Sequence, residues 1–243
     1  MRIKHISAIL LLIFSLFNAK SNAQQLTKTR DIGLWSGVGI EYEFRKNCEF
    51  SFAQDIRLFE SFTKIDKANT EMGFSYTINK NFKLGTNARY SYNLKKEDYY
   101  SHDFRMNYDL QFKVKMAKNL KLRYRLRFQQ VYENLFTIKR YKVGGREDNL
   151  RNRIQIDYEI ENHQIYFNTE LFRAIEKYRS PYFNKLRFTV GSKWENKLGK
   201  LNYAIAYERD LGEDHPLHYV FAKVYYTFEF EKKEKRKKKK DAK

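Results

Sequence analysis

The chain has 243 residues, of which 32% are charged and 17% aromatic, with a formal charge of +19 and a mean hydropathy of −0.77. Beyond the N-terminal leader no stretch approaches the roughly 20 apolar residues of a membrane-crossing helix, which excludes a helical membrane protein. One cysteine, Cys48, excludes an intrachain disulfide, and no His/Asp/Glu spacing resembles a metal site, so no cofactor is expected. The high pI would suit nucleic acid, but the bases fall on one face of strands behind a secretion signal, so nucleic acid is not an expected partner.

Arg2 and Lys4 precede an apolar core from Ile6 to Phe17, and Ser21-Asn22-Ala23 supplies small residues for cleavage. This pattern predicts a signal peptide over 1–23, with the mature chain starting at Gln24. A barrel domain is then expected over 24–230 and a disordered basic tail over 231–243. The tail holds nine bases and three acids and offers nothing apolar to bury.

Between leader and tail, apolar and polar residues alternate with period two, the spacing of a strand whose faces differ. Strands are predicted at Leu34–Phe44, Cys48–Phe59, Thr70–Ile78, Phe82–Tyr92, His102–Val114, Leu120–Val131, Asn149–Ile160, Gln164–Ala174, Tyr182–Trp194, Lys200–Asp210 and His218–Phe230. Short turns rich in Asn and Lys alternate with longer connections, of which Tyr132–Asp148 is the longest and carries Gly144-Gly145. The pattern is that of an all-β, transmembrane, antiparallel up-and-down barrel, with short turns in the periplasm and longer loops outside. The final Tyr226-Thr227-Phe228-Glu229-Phe230 has the aromatic-ended form that barrel assembly machinery recognises. An eleventh strand ending in the periplasm leaves an odd count. Because bacterial barrels usually carry even counts, a twelfth strand is expected within Gln24–Ile32, with ten strands as the alternative. A lipocalin-like soluble barrel also alternates, but with its apolar face inside and eight strands.

Gly33-Leu34-Trp35-Ser36-Gly37-Val38, followed by Glu41-Tyr42-Glu43-Phe44 and Gln54-Asp55-Ile56-Arg57, resembles the uncharacterised outer-membrane β-barrel family known as domain of unknown function 2490. The resemblance spans nearly the whole mature chain. It implies an outer-membrane barrel in contact with outer-membrane lipid, and supplies no site to carry over.

The inward face carries the candidate chemistry. Arg89, Arg105, Arg123, Arg125, Arg127, Arg151 and Arg153 project inward from neighbouring strands, and Lys185 and Arg187 extend the patch. Glu41, Glu43, Glu49, Asp55 and Glu71 project inward from the first three strands, roughly across the lumen. A basic wall facing an acidic one would orient dipolar solutes and favour anions, giving a narrow porin-like channel for small anionic or dipolar solutes. The alternative is a closed structural barrel whose charges pair across a filled interior, since wide aqueous channels belong to 16–18 strands. A third reading is a lipid-acting hydrolase at the rim. It is opposed by the lack of a Gly-x-Ser-x-Gly elbow and by the strand geometry of Ser101-His102-Asp103, whose neighbours point to opposite faces. The chain is therefore read as a non-enzyme. The basic tail is a candidate contact for an envelope polyanion, and the long loop a candidate constriction of the mouth.

Overall fold

The computed structural model describes residues 30–94, 100–133, 145–175, 180–211 and 216–231. Eleven strands run in chain order: β1 Arg30–Arg45, β2 Cys48–Phe59, β3 Lys64–Thr77, β4 Phe82–Leu94, β5 Tyr100–Ala117, β6 Leu120–Tyr132, β7 Arg146–Ile160, β8 His163–Ile175, β9 Tyr182–Glu195, β10 Gly199–Asp210 and β11 His218–Glu231. Each sequential pair is antiparallel, and the sheet closes into a barrel through β1 and β11. The predicted strand centres agree with these ranges. The largest extension is in β3, which starts at Lys64 rather than Thr70 and carries Asp66, Lys67 and Asn69 up the wall.

The strand count corrects the expectation of twelve. β1 pairs directly with β11, in parallel, over an unbroken register that includes Leu34 with Ala222, Val38 with Tyr226 and Tyr42 with Phe230. There is no gap for a further strand. Arg30–Ile32, expected in the twelfth strand, are the first residues of β1, and 24–29 lie outside the described residues. The parity follows from topology. Hairpins reverse direction at every step, so the first and last of an odd number of strands run the same way and can close only in parallel.

The turns at one end are short because their residues tolerate left-handed backbone or cap their own chain. Asn47 and Glu161 adopt φ of 69° and 51°. Asn79 Oδ1 accepts the backbone N–H groups of Asn81 and Phe82, and Asn196 Oδ1 those of Leu198 and Gly199. The opposite end carries the longer connections. The predicted signal peptide, most of the Tyr132–Asp148 loop and the stretch 232–243 of the basic tail lie outside the described residues.

The two faces of the wall are inverted relative to a soluble barrel. Val38, Ile154, Val190 and Ile205 point outward and are 58, 56, 56 and 65% exposed. The largest fully buried side chains among the described residues are Asn107, Asp157 and Ser101, all directed inward. Small residues make room inside where a neighbour lies across them. Tyr166 reaches over β9 to donate to Asn202 Oδ1 at 2.9 Å, and a Cβ on Gly191 would stand 2.7 Å from its phenol. A Cβ on Gly37 would meet the Gln54 carbonyl at 2.5 Å.

The parallel seam is directly testable. Adjacent strands lie about 4.8 Å apart, within the Cα separation a disulfide accepts. Val38→Cys with Tyr226→Cys, in a Cys48→Ser background, should cross-link on oxidation of the folded barrel and change its mobility on a denaturing gel. A folded barrel that resists cross-linking would contradict the seam.

Candidate functional site in the barrel lumen

The barrel encloses a cavity of about 1020 Å³. Every basic residue expected in the lumen lines it: Arg89, Arg105, Arg123, Arg125, Arg127, Arg151, Arg153, Lys185 and Arg187. They come together because alternation places every second residue of β4 to β9 on the inner face, and the register stacks those positions side by side. Arg125 stands beside Arg153, and Arg127 beside Arg151. Such a row of like charges persists only if carboxylates are threaded through it.

The carboxylates are so threaded, and most are not those read from the sequence. Glu170 of β8 accepts Arg125 at 2.6 Å and Arg151 at 3.0 Å, and lies 3.6 Å from Arg187. It is 3% exposed, so three guanidinium groups from three strands converge on one dehydrated carboxylate. Asp109 holds Arg127 through both oxygens, at 2.6 and 2.7 Å, the paired geometry guanidinium favours. Asp157 binds Arg123 through both oxygens and also accepts from Gln155 and Gln164. Glu208 takes Arg187 and Lys185.

The acids expected to form a separate wall are drawn into local pairs. Asp55 takes Arg57 at 3.0 Å and Asn69 at 2.8 Å, Glu71 takes Arg89 at 2.5 Å, and Glu49 takes Lys83 at 3.0 Å. Asp55 and Glu71 line the cavity. Glu41, Glu43 and Glu49 sit nearer the short turns, outside its lining. Further acids gather at one end: Asp31, Asp66, Glu133, Glu147 and Asp210 line the cavity near the long connections, with Lys64 and Lys67 among them, above a belt of arginines.

Aromatic rings form a second layer of the site. Trp35 of β1 stacks on Phe221 of β11 at a centroid distance of 4.0 Å. Arg57 lies 3.9 Å from the Trp35 ring and Lys223 5.0 Å from it. Arg187 lies 5.0 Å from Phe172 and 5.1 Å from Trp35, and Arg151 lies 4.4 Å from Phe172. These ring faces supply electron density to cations that have little water around them. Glu170, Glu208, Asp157, Lys193 and Lys223 were not among the expected site residues, although each occupies an inward position of its strand by alternation. No sequence signal marks which inward position meets which, because cross-strand pairing depends on the register.

Five cavity-lining cations have no carboxylate within salt-bridge distance among the described residues: Lys67, Arg105, Arg153, Lys193 and Lys223. Arg105 also has a buried Nε without a hydrogen-bond acceptor. The rim offers no equivalent. Ser101 and Asp103 point inward and hydrogen-bond to each other at 3.2 Å, whereas His102 points outward to Tyr90. His218 pairs with Tyr207 at 2.6 Å, and His215 lies outside the described residues.

The shared carboxylate gives a sharp stability contrast. Glu170→Gln leaves buried guanidinium groups short of their counter-charge and should lower resistance to urea by about 3–5 kcal/mol. Glu49→Gln breaks a pair in which each partner is about one-third exposed and should cost about 0–1 kcal/mol. Equal losses would contradict the central role of Glu170.

A search of curated proteins found no match to the chain. A family model described as a protein of unknown function (DUF2490) matches residues 32–215, from the start of β1 to the connection before β11. The match covers well over half of the sequence, and the protein belongs to that uncharacterised family.

Proposed function

We propose that the protein is an outer-membrane β-barrel that gives small anionic solutes a narrow passage through its lumen, without catalysis. The outward belt of exposed apolar and aromatic chains supports the location, since an apolar surface of that extent requires a non-aqueous partner. The observation that carries the function is the excess of inward cations over available carboxylates in the cavity lining. Lys67, Arg105, Arg153, Lys193 and Lys223 remain after the neighbouring acids have been matched. An anion meets a favourable potential there, whereas a cation meets the charge of the same groups unscreened. In this reading the partners are outer-membrane lipid, the assembly machinery during insertion, and a small anionic solute in transit.

A second reading, a closed structural barrel, has one observation in its favour. The pairs centred on Glu170, Asp109, Asp157 and Glu208 tie neighbouring strands together and fill part of the interior. The unmatched cations favour the passage, because a purely structural interior gains nothing from buried charge without a partner.

Conductance of the refolded protein in a planar bilayer separates the two. Discrete steps with an anion-favouring reversal potential in a salt gradient are expected. Arg105→Gln removes a cation that holds no carboxylate, and should lower the anion-to-cation permeability ratio by roughly fivefold at low salt, the effect of about 1 kcal/mol from a charge near the path. This variant is a cleaner probe than Arg125→Ser or Arg127→Ser, which would also release Glu170 or Asp109. A heat-modifiable, folded barrel with no conductance steps would contradict the passage and leave the structural reading.

A further inference from the structure

The cations that conduction would use are not spread evenly. Lys193 of β9 pairs with Asn202 of β10, and Asn202 with Tyr225 of β11, one inward position from Lys223, so the two ammonium groups stand on nearby positions of the inner wall, and Arg153 of β7 lines the same cavity. All three line the cavity, and none has a carboxylate within salt-bridge distance among the described residues. The neighbouring acids cannot neutralise them. Glu170 already receives Arg125, Arg151 and Arg187, and both oxygens of Asp157 are taken by Arg123, Gln155 and Gln164. The aromatic faces of Trp35 and Phe221 beside Lys223, at 5.0 and 5.2 Å, attract the ammonium without cancelling its charge. The amide of Asn202 and the phenol of Tyr225 also line the cavity in this region.

We propose that Arg153, Lys193 and Lys223 form a discrete binding site in the lumen for the phosphate group of a small soluble anion. A single chloride would neutralise one of the three charges. A phosphate dianion answers two, and its oxygens suit both the planar guanidinium fork and the point charge of an ammonium. The site lies on the inner wall, away from lipid, so a phosphate carried on acyl chains is not the expected occupant. The inference rests on the reading of the lumen as accessible to solutes, but a binding site does not require through-conduction.

The test is therefore made on the refolded barrel in detergent, where conduction plays no part. Titration with inorganic phosphate, followed by calorimetry, should show saturable binding that survives excess chloride. A parallel titration with glycerol 3-phosphate separates a preference for the bare anion from one for a phosphorylated solute. Arg153→Gln and Lys223→Gln should each weaken phosphate binding at least roughly tenfold, the effect of losing one charge-assisted hydrogen bond. Lys83→Gln, which lies outside the cavity lining and is paired with Glu49, should leave it unchanged.

Thermal unfolding supplies an independent readout. Phosphate should raise the melting temperature of the parent by linkage and do so less in Lys223→Gln. Without phosphate, Lys223→Gln should melt no lower than the parent, because it removes a buried charge that has no partner. Absence of saturable phosphate binding, or equal affinity in the parent and both variants, would overturn the site. Conduction without phosphate binding would overturn the site and leave the passage standing. Phosphate binding without conduction would support the site and remove the passage.

Discussion

The carboxylate of Glu170 is the interaction on which the inner wall depends. Three guanidinium groups converge on it, two from the flanking strands β7 and β9 and one from β6, across β7. In a barrel whose outside is apolar, the inward side chains carry the polarity of every strand, and like charges are brought into register by the same ladder that closes the wall. Arg125 beside Arg153 and Arg127 beside Arg151 would repel each other without an acid between them. Glu170 supplies that acid to three arginines, Asp109 to Arg127 alone, and Asp157 to Arg123 with two glutamine amides. Sharing lowers the cost of ordering, since a carboxylate already fixed by one arginine loses little freedom to the next. It also leaves a remainder, because acids saturated by their own neighbours have nothing to offer Arg153, Lys193 or Lys223.

In the proposed passage that remainder is what would link fold to function. A charge kept away from water without a partner is destabilising, so its presence is better explained by a solute than by packing. A solute in the proposed passage would meet these charges in turn. Acids, with Lys64 and Lys67 among them, line the end that carries the long connections, arginines gather below them, and pairs such as Glu49 with Lys83 occupy the end near the short turns. Trp35, Phe221 and Phe172 line the same region and narrow it, which suits a passage selective by charge and size over a wide aqueous pore.

Much of the fold was legible in the sequence because period two is a local signal. Leu120 to Gln129 declares its two faces without reference to any other strand, and β2 begins and ends at the predicted residues, Cys48 and Phe59. Closure was not legible. Whether β11 meets β1 or a further strand depends on curvature and tilt summed over the whole sheet, and no residue of β1 announces a parallel neighbour. The inward arginines could be named for the reason the strands could, as they sit at alternate positions. Their partners could not. Glu170 reads as one inward acid among many until the register sets it between β7 and β9, and the acids of β1 to β3 read as a wall until Asp55 is found on Arg57 and Glu71 on Arg89.

On the proposed reading the apolar face meets lipid while the charged face lines a passage open to small water-soluble solutes. Consecutive residues of β9 test it most directly, since Phe188 and Val190 point outward and Thr189 points inward. A spin label placed singly at each position, in the Cys48→Ser protein reconstituted in a bilayer, reports collisions with oxygen dissolved in lipid and with a water-soluble nickel chelate. Lipid on one face and a solute passage on the other require high oxygen and low nickel accessibility at 188 and 190, and the reverse at 189. The same accessibility at all three positions, or nickel access from the outward face, would contradict that arrangement.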